Sequence, residues 1–209
     1  MTNRKQRSAG EPRPYHHGKL AEALVDATFD IVREEGIEGV SVREAARRAN
    51  VSPSAPFKHF RNRAELMLAV VDKAVGSLWI AVEASFLSKS DPLDCVRAAG
   101  DAYLAWSYAH PVQMRIITAS CASLPRSVDA QHQIDEMTGY WFALFGAAAA
   151  SGALRGDPDP CIAAVASGAQ LYGLSSAFAE GRCVSPGMAA DPLATMKSAF
   201  ALHLANLRS

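Results

Sequence analysis

Leu20, Leu24, Ala27 and Ile31 recur at steps of four, three and four residues, the period of one apolar helix face, and the pattern stops at Glu35-Gly36, where glycine ends a helix. After the connection from Ile37 to Val40, Ser41 stands before Val42 and Glu44 follows three residues later. This Ser-x-x-Glu capping box predicts a short helix over about 42–49. Ser52-Pro53 repeats the start signal and predicts a third short helix through about His59. Asn62-x-x-Glu65 opens a long helix to about Phe86. Further starts are marked by proline after a capping or polar residue at Asp91-Pro92, His110-Pro111, Asp157-Pro158 or Asp159-Pro160, and Asp191-Pro192, with a run from about Val128 to Ala153 between them. The sum is about nine helices, with no alternating run long enough for a sheet and no solenoid period. The expected fold class is all-α.

Met137 to Leu154 runs without a charged residue, but glycines, serine and threonine interrupt it and alanine dominates its second half, so a buried core helix is expected there, not a membrane span. Residues 1–14 carry four basic residues and two prolines with no apolar period, and read as a flexible basic tail. No apolar stretch of a secretory signal follows the basic residues, which makes the cytoplasm the expected compartment. The four cysteines, Cys95, Cys121, Cys161 and Cys183, stand 26, 40 and 22 residues apart, a spacing that offers no zinc or dithiol pair and suits reduced core residues. His16-His17 are adjacent, do not share a helix face and have no third ligand near, so no metal is expected.

The chain has 21 Lys and Arg against 21 Asp and Glu, yet this balance is uneven along its length. Residues 1–63 hold 12 basic and 8 acidic side chains, a net of +4, and the remainder carries −4. A basic third on an acidic body suits one small module that meets a polyanion. Two short helices joined by four residues have the proportions of a helix-turn-helix. Within 23 residues the same segment supplies Ser41, Arg43, Arg47, Arg48, Ser52, Ser54, Lys58, His59, Arg61 and Arg63, the hydroxyls and cations that hold phosphates. Arg47 and Arg48 can equally serve as the solvated face of a helix whose buried side is Ala45, Ala46 and Ala49.

The stretch YHHGKLAEALVDATFDIVREEGIEGVSVREAARRANVSPSAPFKHFRNRAELMLAVV, residues 15–71, resembles the DNA-binding domain of TetR-family regulators in helix order, loop lengths and the closing aromatic-x-His-Phe signature. The resemblance implies an all-helical homodimer with a helix-turn-helix domain at 15–62 and a ligand-binding and dimerisation domain at 63–209. It places Ser41 and Arg43 against phosphate, Ser52, Ser54, Ala55, Phe57, Lys58 and His59 on or beside the recognition helix, and Arg63 where the family has a phosphate-binding lysine. Phe57 stands where the family often has tyrosine, and Phe60 is expected in the core. Pro56 lacks the N–H that would close the first turn, which points to an irregular geometry there. Val165 to Gly181 also resembles a helix of a C-terminal subgroup with a Trp-His-Gly pattern, with Tyr172 in the histidine's place.

By the same resemblance a small-molecule pocket lies among the body helices, and the candidates for its wall are Trp79, Tyr103, Trp106, Met114, Met137, Tyr140, Trp141 and Phe145. Few charges occur there, so the expected ligand carries little charge. The last two helices combine small residues, Ala163, Ala164, Ser167, Gly168, Ala169, Gly173, Ser175, Ser176 and Ala177, with an apolar stripe of Leu193, Met196, Phe200, His203, Leu204 and Leu207. They suit a symmetric four-helix dimer interface or an internal seam of one subunit. The expected function is a ligand-responsive regulator, a repressor released from a palindromic operator by a small-molecule effector, without cofactor or metal. The alternatives are a helical protein-interaction adaptor and a hydrolase without a recognisable motif; no His-Glu-x-x-His, Gly-x-Ser-x-Gly or phosphate-binding glycine loop occurs.

Overall fold

Capping side chains and prolines set the helix starts where the sequence puts them. The computed structural model describes residues 17–87, 89–122, 124–156, 158–179 and 191–209. The tail at 1–14, His16, Asp157, Gly181 and Cys183 lie outside these residues, as do the side chains of His17 and Cys121. The α-helices are α1 (His17–Glu35), α2 (Val42–Arg48), α3 (Arg63–Val82), α4 (Pro92–Ala109), α5 (Pro111–Ala122), α6 (Val128–Ala150), α7 (Pro160–Ala179) and α8 (Pro192–Leu207). The only β pairing among the described residues is an isolated bridge between Leu154 and Arg208. The fold is all-α. The ninth expected helix, the one opened by Ser52-Pro53, is a single 3-10 turn at Ala55–Lys58.

Its irregularity has a local cause. Pro56 has no N–H to give to the Ser52 carbonyl, which instead accepts from Ala55 at 3.0 Å, an i to i−3 bond that starts the tighter winding. The Pro56 carbonyl then accepts from both His59 and Phe60 at 2.8 Å, and buried Pro56 and Phe60 anchor the turn on the core.

Elsewhere the caps are regular. Ser41 Oγ accepts from the Glu44 N–H at 3.1 Å, Asn62 Oδ1 from the Glu65 N–H at 2.9 Å, Asp91 Oδ1 from the Asp94 N–H at 3.0 Å and Asp191 Oδ1 from the Ala194 N–H at 2.9 Å. The sharp turn after α2 is a Schellman motif: Asn50 adopts φ 54, its N–H donates to the Arg47 carbonyl, and the Val51 N–H reaches the Ala46 carbonyl at 3.0 Å. α6 ends in the same motif with Gly152 at φ 71.

One core cluster joins α1, α2 and the first half of α3 through Leu24, Ile31, Val42, Ala45, Leu66 and Val70, and takes in Val112 and Ile116 of α5. A second packs α4, α6, α7 and α8 around Phe145, Leu104 and Phe200. The last turns of α3, through Leu78 and Val82, belong to a third cluster with Phe86 and Trp106. α3 therefore runs from the helix-turn-helix core into the body. α4 and α8 approach closely because Gly100 faces Phe200; a Cβ at residue 100 would lie 2.1 Å from a Phe200 ring carbon.

Three expectations change. Of the charge-free run in 137–154, only Phe145, Ala148 and Leu154 are buried, while Gly139, Phe142, Ala143, Gly146, Ala147 and Ala150 line an exposed face. The stripe Met196, Phe200 and Leu204, with Ala163, Ala164, Ser167 and Ser175, points inward and forms the seam of one subunit. Cys161 is exposed whereas Cys95 is buried, its Sγ donating to the Lys89 carbonyl.

Candidate nucleic-acid interface and ligand cavity

On α2, the 3-10 turn and the residues that flank them, Ser41, Arg43, Arg47, Ser52, Ser54, Phe57, Lys58 and Arg61 are exposed. Arg43, Lys58 and Arg61 have no ion-pair partner among the described residues. Ser41 Oγ uses a lone pair to cap α2 and keeps its hydroxyl proton for an outside acceptor. Ser52 and Ser54 stand with their hydroxyl oxygens 3.5 Å apart. Phe57, where a tyrosine would carry a hydroxyl, is 46% exposed and offers only an apolar ring. Ala55 is half-buried, and so is His59, whose ring lies 6.4 Å from that of Phe60.

The other arginines of the segment have structural work. Arg48 donates to Glu44 at 2.9 Å, Glu34 at 2.6 Å and Glu35 at 2.7 Å, tying the end of α1 to α2. Arg47 meets Glu44 through two bonds. Bonding from Arg47 and then Arg48 lowers the Glu44 pKa from 4.5 to about 2, and the same carboxylates hold the guanidinium of Arg48 more firmly protonated. Arg63 turns back on the chain: Nε donates to the Val40 carbonyl at 3.0 Å and Nη2 to the Ile37 carbonyl at 2.7 Å. The first residue of α3 is thereby clamped to the connection that leads into α2, a role the sequence reading did not give it.

In the body, a cavity of about 340 Å³ lies between α3, α4, α6 and α7. Leu78, Val82 and Phe86 close one side, and Ala99 and Tyr103 of α4 another. α6 contributes Met137, Thr138, Trp141 and Phe142, and α7 contributes Ala164, Val165, Gly168, Ala169 and Leu171. Among the described residues, no charged residue or histidine lines it. The polar atoms of the wall are already used: Trp141 Nε1 donates to the Ala164 carbonyl at 2.9 Å, Thr138 Oγ1 to the Ile134 carbonyl at 2.8 Å, and the Tyr103 hydroxyl to Met114 Sδ at 3.6 Å.

Of the eight pocket candidates, Tyr103, Met137 and Trp141 line this cavity. The other five stand elsewhere. Trp106 is buried with Nε1 bonded to Ser77 Oγ at 3.0 Å, and stacks on His110. Phe145 is fully buried among its neighbours, and Met114 is buried beneath Tyr103. Tyr140 stacks on both Trp79 and Phe86, and the Trp79 ring is tilted against that of Phe86. Reading for large aromatics found the packing; the space is left by small residues, Ala99 of α4 and Ala164, Gly168 and Ala169 of α7, of which the sequence offered the last three as a helix seam. No group of three or more His, Cys, Asp or Glu that could hold a metal occurs among the described residues.

Residues 24–70 match the sequence profile described as "Bacterial regulatory proteins, tetR family". An uncharacterized HTH-type transcriptional regulator of Haemophilus influenzae is 40% identical over 57 residues, 27% of this chain and 28% of that relative, so the likeness spans under a third of either protein. Over nearly the whole length the fold matches a Rhodococcus sp. RHA1 protein of unknown function, with TM-score 0.76, 24% identity and coverage of 95% of this chain and 100% of that one. It also matches a bacterial regulatory protein of the tetR family from Rhodococcus RHA1, with TM-score 0.73, 20% identity and coverage of 90% and 97%. The N-terminal segment is thus similar to the DNA-binding domain of the tetR family, and the chain as a whole has the fold seen in a regulator of that family.

Proposed function

We propose that this protein is a cytoplasmic transcriptional regulator that binds a palindromic operator as a homodimer, represses from it, and lets go when a small molecule fills the body cavity. The observation that carries the reading is the sorting of cations at the helix-turn-helix. Arg47, Arg48 and Arg63 are spent on internal partners, while Arg43, Lys58 and Arg61 stand uncompensated beside the hydroxyls of Ser41, Ser52 and Ser54. Exposed cations without an ion-pair partner among the described residues, with hydroxyl donors close by in the chain, suit phosphates flanking a major groove. Lys58, on the 3-10 turn, is the best placed of these for a base edge, with guanine O6 and N7 as its acceptors.

The ligand is a neutral, apolar molecule. The wall has no charged group, and its hydroxyl and indole donors already have internal acceptors, so a carboxylate or ammonium would enter without a counter-charge. The signal leaves through α3. Leu78 and Val82 form part of the wall, Trp106 Nε1 holds Ser77 on the same helix, and at the other end the Arg63 clamp carries any tilt of α3 into the Ile37 to Val40 connection and on to α2. By linkage, a ligand that favours a tilt unsuited to the operator binds the DNA-bound protein more weakly by the same factor that it weakens DNA binding.

The dimer forms through the outward faces of α7 and α8, where Ile162, Val165, Ala166, Ala169, Tyr172 and Gly173 stand exposed beside Ser198, Leu202 and Ala205. α7 has no charged residue and is apolar and long enough to cross a membrane, with 28% of its apolar window buried. Selection of bound duplexes from a random-sequence pool tests the whole reading. Retained sequences should carry inverted repeats with half-sites about one helical turn apart or a multiple. Retention without an inverted repeat, or none at low salt, contradicts it.

A further inference from the structure

We propose that the crevice between the helix-turn-helix domain and the body is a second ligand site, one that takes a small monocarboxylate with an apolar body. It is separate from the body cavity and depends on neither the operator nor the dimer reading above. The crevice has a volume of about 220 Å³ and lies where the connection into α2, α5 and the end of α7 meet. Its polar groups are Arg115 and Thr118 of α5 and Ser176 of α7.

Arg115 is the one charged residue of α5, and α7 has none. It is exposed at the crevice and has no ion-pair partner among the described residues. Thr118 stands three residues further along α5, a neighbour on the same helix wall. Across from them, Ser176 Oγ is buried and has no hydrogen-bond partner among the described residues. A buried hydroxyl left unbonded calls for an explanation, and an acceptor that enters from the crevice supplies one. Turning the single side-chain torsion of Ser176 aims the hydroxyl at it.

These are the groups that a carboxylate uses: a guanidinium gives parallel N–H donors to its two oxygens, and hydroxyls fill the remaining lone pairs. One cation sets the charge of the ligand at one, because a dianion would keep an uncompensated charge. The rest of the wall, Ile37, Met114, Ala119 and Ala179, is apolar and suits a short hydrocarbon or an aromatic ring. The choice is opposite to that of the body cavity, whose wall has no charge. An occupant of the crevice touches both halves of the molecule. Ile37 begins the connection into α2, and its carbonyl accepts from Arg63 Nη2. Met114 Sδ accepts from the Tyr103 hydroxyl of the body-cavity wall, so this pair joins the walls of the two sites.

The test uses the full chain and benzoate as the probe, with calorimetry at neutral pH for affinity and circular dichroism for folding. Benzoate should bind saturably at millimolar concentration, and neutral benzamide and inorganic phosphate should each bind at least tenfold more weakly. Arg115→Gln, at an exposed position, should keep the wild-type helicity and lower benzoate affinity at least tenfold. Ala119→Phe puts a ring into the crevice and should abolish binding; if that variant loses its helicity, Arg115→Gln alone decides. An Arg115→Gln protein that binds benzoate like the wild type overturns the site, and so does a wild-type chain that takes up none. Benzamide bound as tightly as benzoate overturns the anionic ligand, and phosphate bound more tightly overturns the apolar body. Benzoate that displaces N-phenyl-1-naphthylamine, an uncharged dye for the body cavity, occupies that cavity and overturns the separate site.

Discussion

The two ends of this molecule solve opposite problems with opposite chemistry. At the helix-turn-helix, short elements packed on an apolar core are tied to one another by charge: Arg48 on three carboxylates, Arg47 on Glu44, and Arg63 on two carbonyls. In the body the helices are long, α7 has no charge at all, and cohesion comes from close apolar packing such as Gly100 against Phe200. The lesson is that a count of cations says little about a polyanion site until those with internal partners are removed. Likewise, a tally of aromatics says little about a cavity until the small residues opposite them are known.

The packing side of this contrast breaks most easily at Gly100. Gly100→Val puts a branched side chain where one Cβ already meets the Phe200 ring, forcing α4 and α8 apart, with an expected loss of about 3 kcal/mol in urea unfolding. A variant as stable as wild type would mean that α8 is not held against α4 as described. On the charged side, Arg63→Ala removes the clamp on the Ile37 and Val40 carbonyls at an exposed site. The cost should be about 1 to 2 kcal/mol of stability, together with a weaker effect of ligand on operator release. If ligand release is unaltered, α3 does not speak to α2 through this residue.

The Schellman turns sharpen the comparison because they are the same device with different residues. Gly152→Ala should cost about 1 kcal/mol, since a Cβ there touches nothing within 4 Å and only the left-handed backbone is strained. Asn50→Gly should instead gain up to about 1 kcal/mol, and paired thermal melts check the opposite signs.

Acid separates the two ends by pH window. Half-buried His203 at the α7 and α8 seam, bonded to Ser167 Oγ at 2.8 Å, has its pKa lowered by desolvation. The unfolded chain therefore binds that proton more readily, and this contribution to stability is complete above about pH 6.5 and lost as pH falls below it. Glu44, lowered to about 2 by Arg47 and Arg48, contributes fully above its ordinary value of 4.5 and is lost on the way down to pH 2. His203→Gln should remove the upper part of the pH dependence and Glu44→Gln the lower part, read from urea midpoints between pH 8 and pH 3.

Most helix starts were legible because they are local: a capping side chain and a proline fix them regardless of what packs above. The third helix was half legible. Pro56 announced trouble, but that Ser52 would bond to Ala55 and wind a 3-10 turn depends on where Pro56 and Phe60 are buried. The exposed face of α6 was not foreseen, and the choice between interface and seam for α7 and α8 stayed open, because an apolar stripe does not say which side of a helix meets its own chain. The Arg63 clamp was not legible because its acceptors, 23 and 26 residues away, are backbone carbonyls that no side-chain pattern reveals.

The sorting of cations is tested most directly by the salt dependence of operator affinity in single alanine variants. Plotted as log affinity against log salt, Arg43→Ala and Arg61→Ala should each reduce the slope by about 0.9, one phosphate contact apiece, while Arg47→Ala leaves it unchanged. A slope that falls for Arg47→Ala and stays constant for Arg43→Ala would contradict the account.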